Sequence, residues 1–535
     1  MGKQNLAKDV EKRAKELLPD DDRPEIDGKF IKRCLDANER GDGTMFSRLF
    51  RGKYIQNVTP KDNEWYKWVG HVWEADDFRS SVNVVEECVQ EYQRMAEPLK
   101  KEIDEQGIDK KHPDAWKLHL YKRYKARIDR LRSKAGANSC LYWAPIVDRK
   151  HMACREEDFN QKKWLLPVKN GVIDLEAGSL ANGRPGDLMT KALNVEFDKG
   201  ADYSLWEDVL REITDSEEEI PRFLKRSFGY AATGFSYEQY VWLFLGPGRN
   251  GKGILFNMIS EVLGPFFHTI NPAMLLEQRS PQSPASASEH LHSLLGKRLI
   301  VGSETNRGKK IDAAAIKELT GEDEIVCRPN FSAEITFNPT HTLMLRTNNV
   351  PLGMTQDFAM RERLLLLDFP FRYVDDVEAH RKKDPMNADY YRRKNKKLKD
   401  ELRKIKPGIL RWIVEGCLEW QKFGLAPPAC VLDAVDKLSR EEDYIGQFAE
   451  ACLDAVDDIE GTRLPCKAMY HAFEWWWSEN EGGKSKLMPA MKTVNKGLRE
   501  RGFVVKRKGG ITWIFGCRLS LDVVKKVEEF AASRR

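Results

Sequence analysis

Residues 241–263 read VWLFLGPGRNGKGILFNMISEVL, and this stretch decides the fold. Five apolar residues, Val241 to Leu245, have the character of a buried strand, and an apolar helix begins as soon as the glycines end. Between them stand Gly246, Pro247, Gly248, Arg249, Asn250, Gly251, Lys252 and Gly253. Glycines let backbone N–H groups converge on phosphate oxygens, and the new helix N-terminus adds its dipole. A lysine at position 252 can reach β- and γ-phosphates as a point charge. Strand, loop and helix in that order predict a nucleotide-binding loop over 246–253, with ATP and Mg²⁺ as expected ligands. Gly253 departs from the pattern, because the position after the lysine usually carries a hydroxyl that ligates Mg²⁺.

Outward from this loop, residues 203–375 alternate helical stretches with short β-rich runs, the pattern of a helix-covered, largely parallel sheet. Strand candidates are Tyr240–Leu245, Arg298–Ser303, Thr342–Arg346 and Arg363–Phe369. Glu304 follows one of these strands, where a carboxylate can meet a metal, directly or through water, or orient an attacking water. Asn348, in RTNNVP, ends another, and an amide there could hold a γ-phosphate; an Asn turn before Pro351 is the plainer reading. Arg361 and Arg363 precede the last strand. An arginine offered to a neighbouring subunit stabilises transition-state charge, although two arginines before a strand are most often a solvated turn.

Taken in order, GPGRNGKG, IVGSETN, IKELTGEDEIVCR, RTNNVP and RERLLLLDFPF resemble the superfamily 3 helicases of the AAA+ class. The likeness is to the helicase part of phage and plasmid primase-helicases related to the poxvirus one. With NGVIDL and GYAATG upstream, it covers roughly residues 30–435. The resemblance implies an oligomeric, expectedly hexameric, ATP-driven DNA helicase with Glu304 as the Walker B acid and Asn348 as the sensor. Arg363 is the preferred arginine finger and Arg361 the other candidate. It also implies a channel hairpin in EIVCRPNFSAEITFN, where Lys317, upstream of the first arm, and Arg328, at it, would hold phosphates and Phe331 at the tip would stack on a base. Core phenylalanine and surface lysine are the plain alternatives for Phe331 and Lys317.

The 535 residues, 41% hydrophobic with 14 Trp and 24 Phe, exclude a disordered chain and suggest three or four domains. The expected fold class is α/β: an N-terminal helicase-associated or oligomerisation domain of mixed α+β type over 1–202, an AAA+ ATPase core over 203–375, a helical lid over 376–439 and a winged helix over 440–535. No apolar run reaches membrane-span length, and ten cysteines without C-x-x-C spacing argue against zinc or disulfides, so a soluble protein of the host cytoplasm is expected. A net charge of +5 decides little, but charge is local. Residues 381–406 hold 12 Lys/Arg against 4 Asp/Glu, which reads as a solvated helix or a second phosphate-tracking surface, and residues 484–508 hold 9 against one, Glu500. In the latter, Lys492, Lys496 and Arg499 fall on one helix face and Lys506, Arg507 and Lys508 on a wing, a DNA-docking arrangement. Expected partners are single-stranded and forked DNA, further copies of the chain and a separately encoded primase, with no membrane. The rival expectation is an ATP-regulated, origin-binding replication initiator with little unwinding.

Overall fold

In a computed structural model, the described residues are 26–59, 63–277, 288–303, 310–328, 334–351, 353–355, 357–456, 461–480 and 488–533. The centre is a five-stranded sheet whose strands are β1 (Val241–Leu245), β2 (Phe267–Ile270), β3 (Leu299–Ser303), β4 (Thr342–Thr347) and β5 (Leu364–Asp368). Their order is β5-β1-β4-β3-β2, and every pairing is parallel. Such strands are covered on both faces and therefore read as unbroken apolar runs. One face, with Trp242, Phe244, Val301, Met344 and Leu367, packs under helix α1 (Lys252–Leu263). The opposite face, with Leu243, Ile300, Leu345 and Leu366, meets Val435 and Leu438 of the helix Ala429–Glu442. Four strands lie where the sequence pattern puts them, within a residue or two. The fifth, β2, was not foreseen.

The amphipathic run after Pro407 forms a helix, Lys406–Phe423, that docks on the helix Glu219–Ala231. Glycines set how close they come: a Cβ on Gly229 would stand 2.1 Å from the Cys417 nitrogen, and one on Gly416 would stand 2.0 Å from the Lys225 carbonyl oxygen. Trp412 fills the space beside this contact against Trp206 and Phe228. The basic run 381–406 is not one solvated helix. Tyr391–Arg393 within it pairs in parallel with Arg372–Val374, and only then does the helix Leu398–Lys404 begin.

Upstream, the helices Gly28–Asp36, Asn38–Phe50, Val85–Gln106, Ala115–Leu131 and Lys134–Val147 share one apolar core. The WYKWVGHVW stretch forms a hairpin, Trp65–Val69 with Val72–Ala75, and Trp68 lies opposite Trp73 with ring centroids 5.4 Å apart. A second hairpin turns at Lys169-Asn170, between Leu165–Val168 and Gly171–Asp174. Downstream come the helix Tyr444–Cys452, the strands Leu453–Ala455 and Arg463–Pro465, the helices Cys466–Asn480 and Met491–Glu500, and a hairpin of Val504–Lys508 with Ile511–Phe515. Gly509 and Gly510 turn that hairpin at φ of 60° and 81°, values only glycine adopts cheaply. Trp476 and Trp477 of the tryptophan triplet are buried in the core of this segment. None of the described helices is long and apolar enough to cross a membrane.

Candidate functional site

The glycine-rich loop leaves β1 at the carboxyl edge of the sheet and enters α1 directly, so the first N–H groups of the helix face the loop's concavity. Gly251 caps the helix at a φ of 91°, and a Cβ there would meet Ile213 Cγ2 at 2.5 Å. That close packing against the helix Ser204–Thr214 holds the loop from below. Asn250 is buried: its Nδ2 donates to the Phe369 carbonyl at 3.3 Å, and its Oδ1 accepts from the Lys252 N–H at 3.4 Å. The Tyr373 N–H donates to the Arg249 carbonyl at 2.8 Å. The segment that follows β5 is thus stitched to the loop, and Asn250 shapes the loop with its amide.

Lys252 is 6% exposed, and its Nζ donates to the Gly246 carbonyl at 2.6 Å. The ammonium therefore lies folded over the loop it serves, held near where phosphates would replace a carbonyl as partner. Pro247, Gly248, Arg249 and Gly253 are exposed. A Cβ built on Gly253 meets nothing within 4 Å, so the missing side chain leaves open space above the first turn of α1.

Strand register places the other candidates. Thr347 of β4 is paired with Leu245 of β1, so Asn348 stands beside Gly246. The Thr347 hydroxyl donates to the Asn349 carbonyl at 2.6 Å and accepts from the Asn349 N–H at 3.2 Å, a turn that leaves Asn348 exposed at the tip. Ser303 of β3 pairs with Arg346, which brings the end of β3 to the same edge. Glu304 comes next in sequence, and both it and Phe331 lie outside the described residues. So does most of the RSPQSPASASEH stretch, which the composition reads as a mobile loop. Among the described residues, no group of three or more His, Cys, Asp and Glu could hold a metal ion.

Arg361 and Arg363 are at the other end of the sheet. Leu364 pairs with Val241 and Asp368 with Leu245, so both arginines precede the start of β5, about 16 Å of strand from the chain's own phosphate loop. They differ in surroundings. Arg363 donates from Nη1 to Thr320 Oγ1 at 3.0 Å. Arg361 has a side chain 36% exposed and stands 5.5 Å from the ring of Phe358, itself 69% exposed. Lys317 is paired with Asp357 at 2.9 Å, and the ammonium holds that carboxyl below the usual carboxylate range. The hairpin Ile325–Cys327 with Ile335–Phe337 is present where a channel hairpin is expected, with the Arg328 side chain exposed and its N–H on Ser288 Oγ at 2.8 Å. Lys492, Lys496, Arg499, Lys506, Arg507 and Lys508 are all exposed, Lys496 within 3.6 Å of Glu500.

Sequence reasoning passed over Arg346. It is half-buried two register steps before the loop, and alternation puts it on the face of Phe244 and α1. A lone arginine interrupting the apolar run LMLRT is the signal that could have found it.

These features define a mixed α/β protein built on a parallel sheet with a glycine-rich loop at its carboxyl edge. Residues 43–215 match the family described as D5 N terminal like, and residues 244–363 match a family of unknown function. The chain is 23% identical over 467 residues to "Putative helicase L207/L206" of Acanthamoeba polyphaga mimivirus, over 86% of this chain and 47% of that one. It is 22% identical over 528 residues to "Putative helicase 121R" of Invertebrate iridescent virus 3, over 88% of this chain and 53% of that one. Among solved structures, it is similar to the apo A form of the NrS-1 C terminal region, at 9% identity and a TM-score of 0.42, over 88% of this chain and 98% of that one. The chain thus carries a D5 N terminal like region and is similar to viral proteins described as putative helicases. It spans about half the length of the curated relatives it matches.

Proposed function

We propose that the chain is the motor of an oligomeric, ATP-driven DNA helicase of the superfamily 3, AAA+ type, translocating on single-stranded DNA during replication of a virus-like or mobile element. The observation that carries this reading is the division of the candidate residues between two ends of one sheet. The phosphate loop and Asn348 share the carboxyl edge, while Arg361 and Arg363 lie a strand length away. An arginine so far from its own loop can reach a nucleotide only in a neighbouring copy, which makes an assembly, expectedly a hexameric ring, part of the chemistry. The strand order β5-β1-β4-β3-β2, with the loop after β1 and Asn348 after β4, fits the AAA+ arrangement the motif order implies.

In this reading Lys252 leaves the Gly246 carbonyl for the β- and γ-phosphates, the N–H groups of Gly248 through Gly253 cradle phosphate oxygens, and Asn348 positions the γ-phosphate or the attacking water. Arg346 adds positive charge beneath the loop. Bound Mg²⁺ would neutralise charge on the phosphates; with no hydroxyl at Gly253, its protein contact would come from Glu304. Lys492, Lys496 and Arg499 would dock DNA from a C-terminal winged helix, helped by Arg507, the hairpin cation on the helix side. A separately encoded primase is the expected companion.

The test is strand displacement of forked DNA with ATP. Lys252→Ala should lose ATP turnover and unwinding together, by a hundredfold or more; unwinding that survives the change removes the motor reading. The exposed basic helix Met491–Glu500 favours the second reading, an ATP-regulated origin-binding initiator. ATPase stimulation by arbitrary single strands speaks for the motor, and stimulation by one duplex sequence for the initiator.

A further inference from the structure

The hairpin near the C-terminus offers two different surfaces, and its register separates them. Val505 and Ile514 are directly opposite one another and buried in the core with Val494 and Leu498 of the helix Met491–Glu500. Side chains alternate along a strand, so Arg507 shares the helix side with Val505, whereas Lys506 and Lys508 lie on the reverse side. The third strand extends that reverse face: Arg463 is opposite Phe515, and Pro465 is opposite Trp513. Lys506 is opposite Trp513 from the other flank, and Lys508 is opposite Ile511.

The reverse face is unusual in composition. Its charged residues are Arg463, Lys506 and Lys508, and no outward position of the three strands carries a carboxylate. Its apolar residues stand outside the buried cluster: Ile511 is 50% exposed, and Trp513 and Phe515 are half-buried. The Arg463 guanidinium lies over the Trp513 ring at 4.8 Å, and Trp513 Nε1 donates to the Lys508 carbonyl at 3.2 Å, which ties the indole to both flanking strands. Fixed aromatic and guanidinium planes bordered by unopposed cations suit a partner that has both flat rings and regular negative charge. A single strand of nucleic acid has both, whereas a duplex hides its ring faces in its own stack.

We infer that this reverse face, centred on Trp513 with Arg463, Lys506 and Lys508, is a binding surface for single-stranded nucleic acid, distinct from the duplex-docking helix Met491–Glu500. Because helix and sheet form two layers, the two surfaces point away from each other, and one C-terminal segment can hold the duplex arm and a separated strand of a fork. The inference rests on the DNA-binding part of the proposed function and not on the motor.

The test is equilibrium binding of the full chain, without ATP, to labelled oligo(dT) and to a blunt duplex across a salt series. The variant K506Q/K508Q should lower the salt slope for oligo(dT) by about 1.4, two phosphates at roughly 0.7 each, and leave the duplex slope in place. The variant K492Q/K496Q should do the reverse. Trp513→Ala should weaken oligo(dT) binding about tenfold with its salt slope unchanged, and Trp513→Phe, which keeps an aromatic face and guards against misfolding, should recover most of that loss. Equal effects of K506Q/K508Q on both ligands, or no effect on either, would overturn the inference. A chain that fails to hydrolyse ATP but passes these measurements would lose the motor and keep this surface.

Discussion

Gly253 is the position where a single hydroxyl should be informative. Replacing it by serine costs nothing sterically, because a Cβ there meets no atom within 4 Å and the residue is exposed in the first turn of α1. Helix propensity favours serine over glycine by about 0.5 kcal/mol, so the variant should melt at an equal or slightly higher temperature. The chemical gain is separate. A hydroxyl after Lys252 is where phosphate loops take a Mg²⁺ ligand, and even outer-shell partners of a metal are worth roughly 10–100-fold in affinity. Gly253→Ser should therefore lower the Mg²⁺ concentration for half-maximal ATP turnover by about tenfold. Gly253→Ala is the control that brings the propensity without the oxygen. The assay is ATP hydrolysis at fixed nucleotide over a Mg²⁺ series, with thermal melts alongside. Equal Mg²⁺ dependence in all three proteins would refute the reasoning, since an open, exposed loop position would then not face the metal.

The arginines can be separated by mixing: if one acts across a subunit interface, an excess of its alanine variant should poison wild-type turnover, and adding Lys252→Ala should restore some activity to the inactive arginine variant. For Lys317, a brace and a DNA contact differ in outcome, because the swap K317D/D357K should recover DNA-stimulated turnover lost in Lys317→Gln only if the Asp357 pair is what matters. Gly251→Ala should destabilise the fold by about 2 kcal/mol, from the 2.5 Å approach to Ile213 and the positive φ, and Ile213→Ala beside it should recover only the steric part, as read from denaturant melts. Asp42 is buried against Tyr92 and Arg127, and burial pushes its carboxyl up to about 6. Its protonated form is favoured on folding, so its contribution is present below about pH 4 and is lost as pH rises through 6; Asp42→Asn should gain on the parent by roughly 3 kcal/mol across that window, in melts taken at both ends.

What could be seen in the chain alone was what local pattern encodes. Apolar runs closed by glycines announced β1 and the loop, and β3, β4 and β5 are buried on both faces, so they too read as solid apolar stretches. The strand β2 is four residues, FHTI, with a half-buried histidine and an exposed threonine, and it follows Gly264-Pro265 so closely that it resembles the end of a helix. Only pairing with β3 makes it a strand. The pair Arg372–Val374 with Tyr391–Arg393 was hidden in the same way, since its charges read as a solvated helix. Site residues divide similarly. Lys252 is announced by its neighbours, but the bond from Asn250 to Phe369 spans 119 positions and the one from Arg363 to Thr320 spans 43, and no local pattern reports such contacts.

Those long-range contacts also change how the arginine end of the sheet should be understood. The helix Ala313–Thr320 holds the arginine segment twice, through Lys317 to Asp357 and through Thr320 to Arg363. Asp357 in turn caps the helix Phe358–Arg361 by accepting the Met360 N–H at 2.8 Å. The chain then leaves that same helix through Gly321 into the hairpin strand Ile325–Cys327 within five residues. A helix joined at one end to the hairpin and along its side to the arginines would couple a movement of the one to a movement of the other. Within this unit Arg363 is a fastening, its guanidinium committed to its own chain, and Arg361 is the group left at the surface beside Phe358. The geometry thus favours Arg361 as the residue that reaches a neighbour and Arg363 as the one that lets the hairpin follow. Arg361→Ala should then abolish turnover with DNA absent or present, whereas Arg363→Ala should spare basal turnover and lose its response to DNA.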